Sequence, residues 1–168
     1  MVFQDPMSSL NPVYTCGNQV AEVVQLHKGL SGKEARKAVL ALFEQVQLPD
    51  VERIFAAYPH QLSGGQKQRI MIAMAIAATP DLIIADEPTT SLDVTVQGQI
   101  LQLLLALKEE LNIGILFISH DLGVISEIAD RVLVMREGEI VERGDKVALL
   151  QRPSHPYTKG LLACRPPL

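Results

Sequence analysis

Tryptophan is absent from the 168 residues, aromatic side chains make up only 4%, and there are only two cysteines. Cys16 and Cys164 stand far apart in no metal-ligand spacing, so neither a disulfide framework nor a cysteine-held metal is expected, and reduced thiols of a cytosolic protein are the simplest reading. No stripe of one charge sign occurs: Lys and Arg number 15 against 19 Asp and Glu, scattered along the chain, for a net charge of −4. That balance argues against a nucleic-acid footprint. The longest apolar stretch, Ile70 to Ala78, is far short of the roughly 20 residues that a membrane-crossing helix needs. The opening residues also lack the cationic start, apolar core and small-residue site of a secretory signal.

What remains is a globular composition, 48% hydrophobic and 20% charged. Such a chain can bury a sizeable core in one domain. Its mean hydropathy of +0.19 is high for a soluble domain. A buried parallel sheet, or surface covered by other structure, accounts for that.

Along the chain, Met1-Val2-Phe3 reads as the end of a buried strand stopped by Gln4-Asp5-Pro6, so Met1 is expected to be an internal methionine or a start placed inside a longer gene. Met7 to Pro12 reads as loop. A mainly helical region follows. Val20, Val23, Val24 and His27 keep helical spacing up to Gly29. Ser31 with Glu34 has the form of a capping box ahead of a stripe of Ala35, Val39, Leu42, Phe43 and Val46. A short helix is expected over Val51 to Tyr58, and Ser63 caps a mostly buried helix from Gly64 to about Ala78. Leu82 to Ala85 and Ile113 to Ile118 are continuous apolar runs, the pattern of strands covered on both faces. A Leu-rich helix joins them over about Val94 to Leu111. Val132 to Met135 and Ile140 to Val141 pair through a two-residue turn at Glu137-Gly138. Asp145 starts a short helix, and Ser154-His155-Pro156 opens a last one.

Three polar positions stand immediately past three apolar strands: Gln4, the pair Asp86 and Glu87, and His120. Ligands of open parallel α/β sheets bind outside the carboxyl ends of the strands. Each residue alone would read as a turn or cap residue; the three together point to a site. Asp86 suits a Mg²⁺-holding carboxylate, because Mg²⁺ takes hard oxygen ligands and keeps most of its waters. Glu87 could polarise an attacking water. Ser63-Gly64-Gly65 offers backbone N–H groups at a helix start, where the macrodipole favours an anion and a missing Cβ allows close approach. His120 could contact a terminal phosphate or orient water. His27 and His60 read as ordinary surface or packing residues.

These residues together resemble ABC ATPases. Leu62-Ser63-Gly64-Gly65-Gln66 is similar to the family's signature motif, and Leu82 to Glu87 to its Walker B strand with the catalytic glutamate. Ser91-Leu92-Asp93 resembles the D-loop, His120 the switch histidine and Gln4 the Q-loop glutamine, all in the family's order. Phe3 to Pro12 and His155-Pro156-Tyr157-Thr158 resemble the oligopeptide, dipeptide and nickel importer branch. The Gly-x-x-x-x-Gly-Lys-Ser/Thr phosphate loop occurs nowhere in the 168 residues. The resemblance therefore covers the second part of such a subunit, and Arg165 to Leu168 reads as a cut end, with Cys164 no evidence of a cluster.

The resemblance implies an α/β fold: a partial P-loop NTPase fold, with a helical subdomain and the C-terminal part of a mainly parallel sheet. It implies a strand end and Q-loop over 1–12, a helical signature subdomain over 13–79, the second part of the ATPase core over 80–144, and a C-terminal helical extension, incomplete, over 145–168. It implies ATP and Mg²⁺ as ligands. Glu87 and His120 would be catalytic, Asp86 and Gln4 would hold the metal, and Gln4, Ser63, Gly64, Gly65, Gln66 and Asp93 would contact nucleotide. The implied partners are a second ATP-binding subunit, integral membrane permease subunits and an extracytoplasmic solute-binding protein, with no nucleic acid. The implied location is the cytoplasmic face of the cell membrane. Two rival readings stand beside this one. The first is a non-catalytic protein that supplies only the signature half-site. The second is a DNA-repair or chromosome ATPase, against which the short span from Gln4 to Leu62 and the missing basic stripe both weigh. Without a phosphate loop, the 168 residues alone are expected not to hydrolyse ATP, and a sheet cut in mid-fold is expected to make them unstable or aggregation-prone.

Overall fold

The structure, a computed structural model, describes residues 1–4 and 9–163. Asp5 to Ser8 of the importer-like segment, Cys164 and the Arg165 to Leu168 end lie outside the described residues. The chain forms two compact units, Met1–Ile118 and Ser119–Leu168.

In the first unit, helix α1 (Cys16–Lys28) is capped by Thr15, whose side chain accepts from the Asn18 amide, and it ends where Gly29 takes φ 67. That left-handed stop is the one the glycine predicts. Helix α2 (Gly32–Gln45) buries Ala35, Val39, Leu42 and Phe43, the expected stripe. The expected Ser31–Glu34 capping box does not form, since Ser31 makes no side-chain cap bond. The Glu34 amide is instead taken by the Ser31 carbonyl at 3.2 Å, in a tight first turn next to Gly32 at φ 54. Helix α3 (Val51–Ala56) stops short of the expected Tyr58. Tyr58 precedes Pro59, whose ring pushes it out of the helical region, and its ψ of 155 is extended. A 3₁₀ turn (Pro59–Gln61) then leads into helix α4 (Gly64–Ala77), which buries Ile70, Met71, Ile72, Ala73, Ile76 and Ala77.

Strands β1 (Leu82–Asp86) and β2 (Gly114–Ile118) pair in parallel, with Ile84 opposite Leu116 and Asp86 opposite Ile118. Helix α5 (Val94–Leu111) connects them and buries Ile100, Leu101, Leu103, Leu104 and Leu107. Val2 extends this sheet by one parallel bridge to Ala85. Its N–H reaches the Ile84 carbonyl at 2.8 Å, its carbonyl accepts from the Asp86 amide at 2.9 Å, and its side chain is fully buried. Burying a valine contributes about 1.5–3 kcal/mol, enough to hold the residues before Gln4 beside β1. The expectation that both apolar runs are covered on both faces fails for β2 and at the start of β1, where Leu82 is 54% exposed. Leu116 and Ile118 are 43% and 44% exposed, while Ile115 and Phe117 on the opposite face are half-buried. Side chains alternate across a strand, and among the described residues only one face of this one is covered.

The second unit opens with a helix that the sequence reading does not name, α6 (Leu122–Ile128), capped by Asp121. Strands β3 (Arg131–Arg136) and β4 (Glu139–Asp145) form an antiparallel hairpin. Glu137 at φ 53 and Gly138 at φ 86 make the two-residue turn, with Arg136 opposite Glu139 as the motif predicts. β4 runs on to Asp145 because its pairing with β3 continues through Arg143 and Gly144. Helices α7 (Lys146–Gln151) and α8 (Pro156–Ala163) follow.

Candidate functional site

The site is assembled where β1 ends. Asp86 and Glu87 leave the strand on a backbone fixed from two sides: the Asp86 amide donates to the Val2 carbonyl and the Glu87 amide to the Ile118 carbonyl, each at 2.9 Å. Glu87 takes φ 45, a left-handed conformation that is uncommon for a residue with a side chain. Such a conformation costs roughly 1–2 kcal/mol and persists only where the surroundings over-determine it, which is a mark of functional positions. Here the strand bonds and the Thr90 amide, donating to the Glu87 carbonyl at 3.3 Å, close the turn.

The Glu87 carboxylate meets Gln4, as the strand-end placement predicts. Gln4 Nε2 donates to Glu87 Oε2 at 2.9 Å, and Thr90 Oγ1 donates to the same oxygen at 2.9 Å. Thr90 is a contact the sequence reading missed; its signal is a hydroxyl three residues past a carboxylate across Pro88, the spacing of one tight turn. The Asp86 side chain is half-buried and makes no hydrogen bond among the described residues. A carboxylate at a strand end without a protein donor fits a hydrated hard cation, so the donor set is compatible with Mg²⁺.

Ser63 to Gln66 form a reciprocal cap at the start of α4. Ser63 Oγ accepts from the Gln66 amide at 3.3 Å, and Gln66 Oε1 accepts from the Ser63 amide at 3.1 Å. The Lys67 amide bonds the Ser63 carbonyl at 3.0 Å, so Gly64 and Gly65 supply the N–H groups left without an acceptor among the described residues. That pair of donors at a helix start can receive an anion. The missing Cβ atoms, however, serve this chain's own packing. A Cβ on Gly65 would lie 2.6 Å from Val96 Cγ1, and one on Gly64 would lie 3.2 Å from Leu92 Cδ2. The glycines let α4 press against the Ser91–Asp93 segment and the first turn of α5. Asp93, expected at the nucleotide, caps α5 by accepting from the Val96 amide at 3.0 Å. His120 lies in the second unit, exposed, one residue ahead of the cap residue Asp121.

Two further polar residues support this region in opposite ways. Buried Gln19 bonds the Asn11 amide at 2.9 Å and the Asn11 and Tyr14 carbonyls at 3.0 Å each, bracing the loop between the Gln4 segment and α1. Gln68, one turn into α4, is fully buried, and neither of its amide atoms is bonded among the described residues.

Comparison with known proteins gives this geometry its setting. The model of the ABC transporter family matches residues 1–90, more than half the chain. The chain belongs to the ABC transporter family. It is 54% identical over all 168 residues to the glutathione import ATP-binding protein GsiA of Escherichia coli (strain K12), and equally to that of Salmonella typhimurium. It spans 27% of the length of each of these relatives. Among solved structures it is similar to the dimeric post-hydrolysis state of the ATP-binding cassette MJ0796 bound to ADP and Pi, with a TM-score of 0.73 and 34% identity over 86% of this chain and 61% of that one. It is also similar to cbiO1 from Clostridium perfringens, part of the ABC transporter complex cbiONQ. There the TM-score is 0.77, with 30% identity over 90% of this chain and 58% of that one. The α/β fold expected from the motifs, part of an ABC ATPase, is thereby established. Among the described residues no helix is long and apolar enough to cross a membrane.

Proposed function

We propose that this chain carries the signature, Walker B and switch segments of an ATP-hydrolysing subunit that drives an importer for peptides or related solutes. The observation that carries the reading is the Gln4–Glu87–Thr90 cluster on a strained strand end, beside a metal-compatible Asp86. Asp86 and Gln4 are the residues that would hold Mg²⁺. Bound Mg²⁺ would supply charge neutralisation on the phosphates. Glu87 takes the proton of the attacking water, and His120 donates to the transferring phosphoryl group. Ser63 to Gln66, with the free N–H groups of Gly64 and Gly65, cover the terminal phosphate of a nucleotide held by a facing subunit, and Asp93 lines the junction. Phosphoryl transfer depends on such positioning and electrostatics. Residues 13–79 act as the helical subdomain that meets the permease, and 80–144 as the second part of the catalytic core. The subunit sits on the cytoplasmic face of the membrane, paired with a second ATP-binding subunit, while an extracytoplasmic binding protein delivers solute.

The test uses the native gene product, its length established by intact mass. Mg²⁺-dependent ATP hydrolysis is expected, with Glu87→Gln lowering kcat by about 10²–10⁴-fold, the usual contribution of a general base. Turnover unaffected by Glu87→Gln refutes the catalytic assignment. ATP-dependent pairing with a phosphate-loop-bearing subunit in the absence of any Glu87-dependent turnover would instead favour the half-site reading, which the missing phosphate-loop motif keeps in play. The 168 residues alone are expected to show no turnover.

A further inference from the structure

Resting on the reading of Glu87 as the water-activating group, we propose that Thr90 is a positioning residue for it: Thr90 and Gln4 together hold the Glu87 carboxylate at rest, Thr90 as a permanent brace and Gln4 as an exchangeable latch. Both donate to one oxygen, Oε2, at 2.9 Å, but they are tied to it differently. Thr90 lies in the same tight turn as Glu87, closed by its own amide on the Glu87 carbonyl at 3.3 Å. It therefore moves with the carboxylate. Gln4 comes from a separate segment, 83 residues away in sequence, and its side chain is exposed just past the single-residue bridge at Val2.

The backbone leaves the brace a specific task. Strand bonds on Asp86 and Glu87, and the buried Thr89 that follows, fix where the Glu87 side chain departs from the sheet. The carboxylate still turns about its own side-chain torsions. When the Gln4 amide is drawn to a metal or phosphate, the Thr90 hydroxyl, which turns with the same loop, stays on Oε2. Removing it takes away a donor that orients the carboxylate toward the water it must deprotonate. Binding of nucleotide needs no such alignment, so the loss falls on kcat.

Two measurements test this. In the native gene product, the ¹H–¹⁵N signals of the Gln4 side-chain amide are expected away from random-coil positions in the wild type and at them in Glu87→Ala. Random-coil Gln4 signals that do not respond to Glu87→Ala overturn the latch. In the native gene product, Thr90→Val is expected to lower kcat roughly 10- to 100-fold, the scale of misplacing a reacting group by ~1 Å. The KM for ATP should stay within about twofold, and Thr90→Ser, which keeps the hydroxyl, should restore most of kcat. Thr90 is exposed, so neither variant disturbs the core. Wild-type kcat in Thr90→Val, or equal damage in Thr90→Ser, overturns the brace. Turnover that survives Glu87→Gln overturns the reading of Glu87 itself, whatever the Thr90 variants do.

Discussion

Replacing Gly65 by alanine tests whether the signature turn is shaped by its own chain. The new Cβ would sit 2.6 Å from Val96 Cγ1, about 1 Å inside a normal carbon–carbon contact of 3.5–4.0 Å. Val96 lies in the first turn of α5, where a β-branched side chain has one strongly preferred rotamer, so its methyl cannot turn aside. Relief has to come from moving the helices apart. Overpacking of this kind costs about 1–3 kcal/mol, and the better helix propensity of alanine returns up to ~1 kcal/mol. A net loss of about 1 kcal/mol lowers Tm by ~2–4 °C for a chain of this size. Gly64→Ala is the control: its Cβ would be 3.2 Å from Leu92 Cδ2, the far end of a flexible side chain, and a change within about 0.5 kcal/mol is expected because propensity offsets the squeeze. Urea unfolding of Gly65→Ala, Val96→Ala and the double variant gives the coupling, expected at about 1 kcal/mol since the two residues touch. Gly65→Ala as stable as the wild type, or equally damaging with Val96 trimmed to alanine, would refute the argument.

Three other outcomes follow from the packing and the titrating groups. Gln68→Met should stabilise the chain by about 1–3 kcal/mol, because it removes buried amide atoms that have no partner; a lower urea midpoint would show that the amide is satisfied in solution. Glu142 accepts from the Ser154 amide and hydroxyl at 2.7 Å each and from the His155 amide at 3.2 Å. Its carboxyl is held at about 2 by the Thr158 hydroxyl, by Ser154 and by the His155 amide. The Thr158 hydroxyl does not reach hydrogen-bond geometry, so the Ser154 and His155 bonds are the part of this anchor that the structure supports. With the folded value below the ordinary glutamate value of 4.5, the anchor is complete above that pH and is lost as pH falls toward 2. Glu142→Gln should flatten the acid dependence of stability in that window, and an unchanged acid profile would count against the anchor. Burial pushes the Cys16 thiol up to about 11, against the lowering effect of Lys67. Iodoacetamide at pH 8.5 should therefore spare Cys16 in the folded chain and modify it in urea, followed by peptide mapping that separates it from Cys164. Equal rates in both would contradict the burial.

Local chemistry is what the sequence could announce. Gly29 and the Glu137-Gly138 pair demand left-handed backbone, Ser63 with Gln66 spells a reciprocal cap, and apolar periodicity separates the α1–α4 region from the β1–α5–β2 unit. Each of these depends on residues a few positions apart; the Gly29 stop, the Glu137-Gly138 turn and the Ser63 cap formed as read, and the structure adds the return bond from Gln66. The Ser31–Glu34 box has the same local form and did not close, because the Ser31 carbonyl took the amide first. The short helix α6 escaped notice because seven residues carry too little periodicity to separate from a loop.

The sequence by itself determined the family, the order of the motifs and the strand-end placement of Gln4, Asp86, Glu87 and His120, since these follow from residue identity and alternating apolar runs. Only the tertiary structure decided which donors share the Glu87 oxygen and that its backbone is left-handed. It also decided that Gly65 makes room for Val96, that Gln19 is satisfied while Gln68 is not, and that one face of β2 stays open. Those are contacts between segments distant in the chain, or consequences of them. Their energies depend on separations of a few tenths of an ångström that no local pattern encodes.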